Sequence, residues 1–247
     1  MTDLELLQQY VLGSQDAFAE LARRHAHWVY SAARRMLRDG HLAEDVTQAV
    51  FIILSQKARG LVRKRSLHGW LFKTTRYTAA NALRSQSRRK SHERRAAQMH
   101  EASSTDHSQR QPKHHQQDED FCKQIAPHLE EMVARMRRDD RDALLLRYYR
   151  QMSLADVGAA LGVSEDTARK RVSRAIQSLR ELLRRHGTDI PAGALAGPLL
   201  SMTTQPAPPA LVTACGAPLA TGAGAAAGMI AQGALLMAGA SVFLGGG

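Results

Sequence analysis

The stretch SLADVGAALGVSEDTARKRVSRAIQSLRELL, residues 153–183, decides the fold. Ser153 is placed to cap a helix, and Asp156 three residues on completes a capping-box spacing. Leu154, Val157 and Leu161 recur at helical intervals and form one apolar stripe. Gly162 supplies the left-handed residue that ends this short helix. Val163 packs inward, and Ser164 caps a second helix that carries Glu165 and Asp166 in its first turn, at the positive end of the helix dipole. Ala168, Val172, Ala175, Ile176, Leu179 and Leu182 face a core. Arg169, Lys170, Arg171, Ser173 and Arg174 fall largely on the other side. Two helices joined this way read as a helix-turn-helix, whose second helix enters a DNA major groove and offers Arg and Lys to guanine edges or phosphates. A plain αα-hairpin with a solvated basic face has the same local pattern, so the neighbouring sequence must decide.

The neighbours are helical too. Aromatic residues make up 5% of the 247, and no stretch alternates with strand period, which predicts an all-α chain of one or two domains. Cys122 and Cys215 lie far apart without metal-ligand spacing, which points to a reducing compartment. Met1 leads straight into an acidic amphipathic segment with no signal peptide, so the expected location is cytoplasmic. The net charge is +11, and between Arg59 and Arg95 twelve Lys and Arg stand against the single acid Glu93, so this window carries the whole excess. A field concentrated in this way favours a polyanionic partner.

In chain order, Thr2 and Asp3 open a short helix that Gly13-Ser14 breaks. A longer helix runs from about Asp16 to Arg38, ended by Asp39-Gly40. A third, LAEDVTQAVFIILSQK from Leu42 to about Lys57, buries Val46, Val50, Ile53 and Leu54 and projects Glu44, Asp45 and Gln48 near its start. After an Arg-rich loop, a fourth helix runs from about Trp70 to Arg89. Leu71, Thr75, Ala79, Ala82 and Leu83 can pack, while Lys73, Arg76, Tyr77, Asn81, Arg84 and Arg88 form the outer flank. Cations beside an aromatic are what a single nucleic-acid strand requires, because they combine phosphate pairing with a stacking platform.

Ser91 to about Asp120 is rich in Gln, His and Ser with almost no branched aliphatics, the composition of a flexible linker. His107, His114 and His115 there, with Cys122, match no structural zinc spacing. Two helices between Phe121 and Arg150 then precede the helix-turn-helix. The expected plan is therefore two small helical domains, 1–95 and 122–187, joined by a linker over 96–121, with an apolar extension over 188–247. After Asp189 no charge appears. Residues 223–244 are apolar for long enough to cross a bilayer, but their many Gly and Ala residues and Gln232 favour a disordered or loosely packed tail over a membrane segment.

In combination these parts resemble a bacterial RNA polymerase sigma factor of the extracytoplasmic-function type, over roughly residues 3–95 and 122–186. LAEDVTQAVFIIL resembles the region-two helix that docks on the clamp coiled coil of core RNA polymerase, which implies polymerase contacts at Glu44, Asp45 and Gln48. GWLFKTTRYTAANALRSQSRR resembles the segment that melts and reads the start-proximal (minus-10) promoter element. That implies roles there for Lys73, Arg76, Tyr77, Asn81, Arg84 and Arg88. Residues 153–183 resemble region four, which reads the upstream (minus-35) element through Ser164, Arg169, Lys170, Arg171, Ser173 and Arg174. The family often has Asn where Tyr77 stands, and its minimal plan lacks the apolar extension. Core polymerase, promoter DNA and an anti-sigma factor are the implied partners.

Two other classes compete. A helix-turn-helix regulator acting without polymerase would share residues 153–183 but would have no need of an acidic docking helix beside a basic melting helix. A metal-dependent nuclease would have to use Glu44 and Asp45, a pair that fits a protein contact better than acid–base work. No catalytic residue, metal site or cofactor is expected.

Overall fold

The computed structural model describes residues 1–63, 66–100 (side chains through Arg88), 129–185, 195 and 205–217. Among them every regular element is helical. Helix α1 spans Asp3–Val11 and is opened by a complete capping box, with Thr2 and Glu5 exchanging hydrogen bonds to each other's backbone N–H. Helix α2 spans Gln15–Leu37, capped by Ser14. It ends where Arg38 adopts a left-handed conformation, φ 56°. Asp39 does not merely interrupt the chain: its side chain accepts the Leu42 N–H and starts helix α3, Gly40–Leu61. Helix α4 spans His68–His100. The apolar faces of α1 to α4 meet around Leu7, Leu21, Val50, Leu54, Leu71 and Phe72, all buried.

The second unit begins with helical residues 129–135 (α5), followed by α6 over Arg138–Leu144. One wide turn of π-helix, Leu145–Tyr149, continues α6, closed by the Arg150 N–H on the Leu145 carbonyl at 3.1 Å. Helices α7 (Leu154–Leu161) and α8 (Glu165–Arg185) form the helix-turn-helix. Ala143, Leu146, Val157, Ala168 and Val172 make its own small core. The other inward residues, among them Leu129, Val133, Leu144 and Leu179, join the core of the first unit. The two units therefore share one apolar interior.

The seam between them is also polar. Glu130 is 2% exposed and takes two hydrogen bonds, from Arg35 Nε (2.8 Å) and from the Tyr149 hydroxyl (2.9 Å). The Arg35 guanidinium lies 4.9 Å from the Tyr149 ring centroid, and Phe72 meets the same ring edge-on. Gly69 packs so closely on α6 that an added Cβ would collide with Asp142 Oδ1 and Arg141 Nη2.

Three expectations change. The linker was expected to begin near residue 96, yet α4 continues to His100. Ala96, Ala97 and Gln98 are strong helix formers, so a helix can propagate through them from a packed one without an aliphatic stripe. Leu83, expected to pack, is 40% exposed, whereas Phe72, Thr74 and Thr78 take buried places on α4. The extension was expected to be loose, yet Leu195 is buried and residues 209–216 form a further helix, α9 (Pro209–Gly216), packed on α2 and α3. The stretch 101–128, with the three histidines and Cys122, lies outside the described residues. So does the apolar run 223–244. Among the described residues no helix is long and apolar enough to cross a membrane.

Candidate nucleic-acid interface

In the helix-turn-helix, Ser153 Oγ accepts the Asp156 N–H (3.1 Å) and donates to its carboxylate (2.6 Å), starting α7. Gly162 closes it at φ 64°, a conformation that costs a β-carbon-bearing residue about 1–2 kcal/mol. Ser164 then accepts the Thr167 N–H (3.3 Å) and starts α8. Ala168, Val172, Ala175 and Leu179 are buried, which turns Arg169, Lys170, Ser173 and Arg174 outward, all exposed together with Ser164.

The cations of α8 differ in their partners. Arg169 pairs with Glu165 (2.9 Å) and Lys170 with Asp166 (2.8 Å), both one turn back on the same exposed surface. Such pairs are weak and exchange readily for phosphate. Arg171 and Arg174 instead reach α6. Arg171 is held by Asp139 at 3.1 Å with its side chain only 16% exposed, and Arg174 donates twice to Asp140 Oδ1, at 3.3 and 3.1 Å. These acids were invisible to local periodicity because they lie more than thirty residues away.

The flank of α4 is arranged by the second unit. Lys73 is exposed, and partial burial together with the nearby Arg141 charge pulls its ammonium below the ordinary value, against the opposing pull of Asp142. Arg76 lies 3.9 Å from Glu131 of α5. Tyr77 is half-buried and packs on the cluster of Ala49 and Ile53, as Ile52 and Trp70 also do. Asn81 accepts from Arg84 Nη1 at 3.3 Å, while its own Nδ2 is buried without a partner. Arg84 and Arg88 are exposed.

On α3, Glu44, Asp45 and Gln48 are all half-buried and lie within one turn. Burial and the neighbouring Glu44 charge raise the Asp45 carboxyl above its ordinary value, with His41 opposing. Gln48 Oε1 is buried and has no hydrogen-bond partner.

One cluster was not anticipated. Asp3, His25 and His68 bring ligand-type atoms within 4.8 Å of one another. Hydrogen bonds already use those atoms. Trp28 Nε1 donates to His25 Nδ1 (2.9 Å), so the His25 proton is assigned to Nε2, facing Asp3 Oδ2 at 2.9 Å. Arg150 Nη1 donates to His68 Nε2 at 3.0 Å. A cation placed there would face the Arg150 guanidinium, so the arrangement suits a hydrogen-bond chain between the units and not a metal. Burial opposes the Asp3 charge, but the His25 hydrogen bond and the Arg150 charge hold its carboxyl well below the usual carboxylate range.

Comparison with known proteins bears on this geometry. The sigma-70 region 2 family description matches residues 21–89, and the sigma-70 region 4 description matches residues 133–181. The RNA polymerase sigma factor CarQ of Myxococcus xanthus is 30% identical over 178 residues, 72% of this chain and 95% of CarQ. The chain belongs to the sigma factors of the extracytoplasmic-function type. The ECF RNA polymerase sigma factor SigE of Mycolicibacterium smegmatis is 28% identical over 69% of this chain and 63% of its own length. A solved structure of the sigma factor RpoE with the anti-sigma factor NepR, from Bartonella quintana, aligns at 24% identity with a TM-score of 0.25, covering 63% of this chain and 89% of that one. The region 2 match takes in most of α2, all of α3 and α4 up to residue 89, and the region 4 match takes in α6, α7 and most of α8. A sigma factor binds core RNA polymerase and promoter DNA, and a regulator acting without polymerase has no use for the region 2 half. The extension after Asp189 lies outside both matches.

Proposed function

We propose that three surfaces of this sigma factor divide the work of transcription initiation. Glu44, Asp45 and Gln48 on α3 contact core polymerase. The α4 flank of Lys73, Arg76, Tyr77, Asn81, Arg84 and Arg88 captures the melted minus-10 strand. On α8, Ser164, Arg169, Lys170 and Ser173 reach the minus-35 element, with Arg171 and Arg174 exchanging α6 carboxylates for DNA phosphates. The observation that carries this reading is α4: one helix face holds four cations, an aromatic and an amide. Cations that pair with phosphates beside a ring that can stack suit a single nucleic-acid strand. The factor has no catalytic role of its own, works in the cytoplasm where polymerase is, and is open to an anti-sigma partner on the same surfaces.

The assignment on α3 is tested by Asp45→Arg. Reversing a charge in a complementary contact weakens association, and here the expected loss of core affinity is at least tenfold, about 1.4 kcal/mol. The helical fold, followed by circular dichroism, stays intact. Unchanged affinity removes the α3 assignment.

A further inference from the structure

The described part of the extension lies across the first unit. From Gln205 to Gly216 it runs antiparallel along α2. Ser31 Oγ donates to the Gln205 carbonyl at 3.0 Å and accepts the Gln205 N–H. The Ala207 N–H donates to His27 Nδ1 at 3.0 Å, and Gly216 rests on Ala19, where an added Cβ would stand 3.0 Å from Ala19 Cα. Ala207, Leu211 and Cys215, spaced by four, are the buried side chains.

Against α3 the fit is looser. A cavity of about 30 Å³ separates α9 from a wall that includes Phe18, Gln48, Phe51, Ile52 and Ser55. Gln48 belongs to that wall. The chain from residue 190 onward carries no charge, so the extension has nothing to pair with Glu44 or Asp45.

We propose that the α2–α3 groove is a docking surface with two mutually exclusive occupants: residues 205–217 of this chain in the free factor, and core polymerase in the transcription complex. This rests on the assignment of Glu44, Asp45 and Gln48 as polymerase contacts. Gln48 is the shared residue. A helix with its side chains is about 10–12 Å across, so a polymerase element that reaches Gln48 overlaps Ala214, Cys215 and Ala217. The cavity leaves α9 in looser contact with α3 than with α2, which makes it the weaker occupant. The extension then lowers the apparent affinity for polymerase by the fraction of molecules whose groove is open. Because α9 is uncharged, its docking resists salt, whereas polymerase docking at the two carboxylates does not.

Cys215 reports which occupant is present. It is buried, and burial pushes its thiol up to about 12, so it reacts slowly while α9 is seated. The experiment follows maleimide labelling of the full chain carrying Cys122→Ser, with and without core polymerase. Saturating polymerase is expected to speed Cys215 labelling at least tenfold. Leu211→Asp is expected to give fast labelling without polymerase and about tenfold tighter core binding. Slow labelling inside a complex that forms normally overturns the proposal, as does a Leu211→Asp affinity equal to that of the parent. Asp45→Arg separates the two readings. If it binds polymerase normally, the α3 assignment fails. If it loses binding while Cys215 stays protected in the parent complex, the assignment stands and the competition fails.

Discussion

Tyr77 answers to two demands. Its ring is half-buried against Ala49 and Ile53, so packing fixes it, and the exposed remainder stands among the cations of α4. Stacking of one base on such a ring contributes about 1–3 kcal/mol. Tyr77→Ala is therefore expected to slow strand opening roughly five- to a hundredfold with core binding unchanged, and Tyr77→Phe to retain most of the rate. The fluorescence rise of 2-aminopurine in the minus-10 segment reads this directly. An unaltered rate in the alanine variant leaves Tyr77 a packing residue. A second residue-scale consequence concerns pH. Burial, the neighbouring His25 and Arg150 push the His68 imidazole well below 6.5, against the pull of Asp3. Below pH 6.5 the unfolded chain takes up a proton that the folded chain refuses, so stability falls with pH by up to about 1.4 kcal/mol per unit. Urea midpoints measured from pH 7 to 5 should decline, and His68→Gln should flatten the slope. Equal slopes in the two proteins would contradict the buried neutral histidine.

At the scale of elements, the caps were legible and the partners were not. Ser153, Gly162 and Ser164 stand where the sequence places them, because capping acts within three or four residues. The same locality explains the buried stripe of α8. What periodicity could not supply was the acids of α6: Asp139 and Asp140 restrain Arg171 and Arg174 across more than thirty residues, and no helical spacing announces it. The extension misled for a different reason. Its Ala, Gly and Pro content reads as loose, yet a stripe of only Ala207, Leu211 and Cys215 suffices to dock a short helix when two larger helices provide the surface. The Arg35–Glu130–Tyr149 hub ties α2, α5 and the π-turn together. Removing one partner of a buried pair strands the other, so Glu130→Ala is expected to cost about 3–5 kcal/mol in guanidinium unfolding. A loss under about 1 kcal/mol would mean that water replaces the carboxylate there.

For the whole molecule, the two-unit helical plan was legible, whereas the closeness of the units was not. Composition marks a linker but says nothing of whether the units it joins touch. Here they share a core, and α5 and α6 bring Glu131 and Asp142 to the flank that holds Arg76 and Lys73. With α4 as the proposed strand-capturing flank, the strand competes with these acids, and opening is expected to depend on polymerase to hold the promoter in place. Permanganate reactivity of promoter thymines, with core polymerase and this chain both present, tests that most directly. The account predicts unpaired thymines confined to the minus-10 segment, absent without core polymerase and absent with Asp45→Arg. Minus-10 thymines that stay paired in the complete mixture, or open equally well without polymerase, would contradict it.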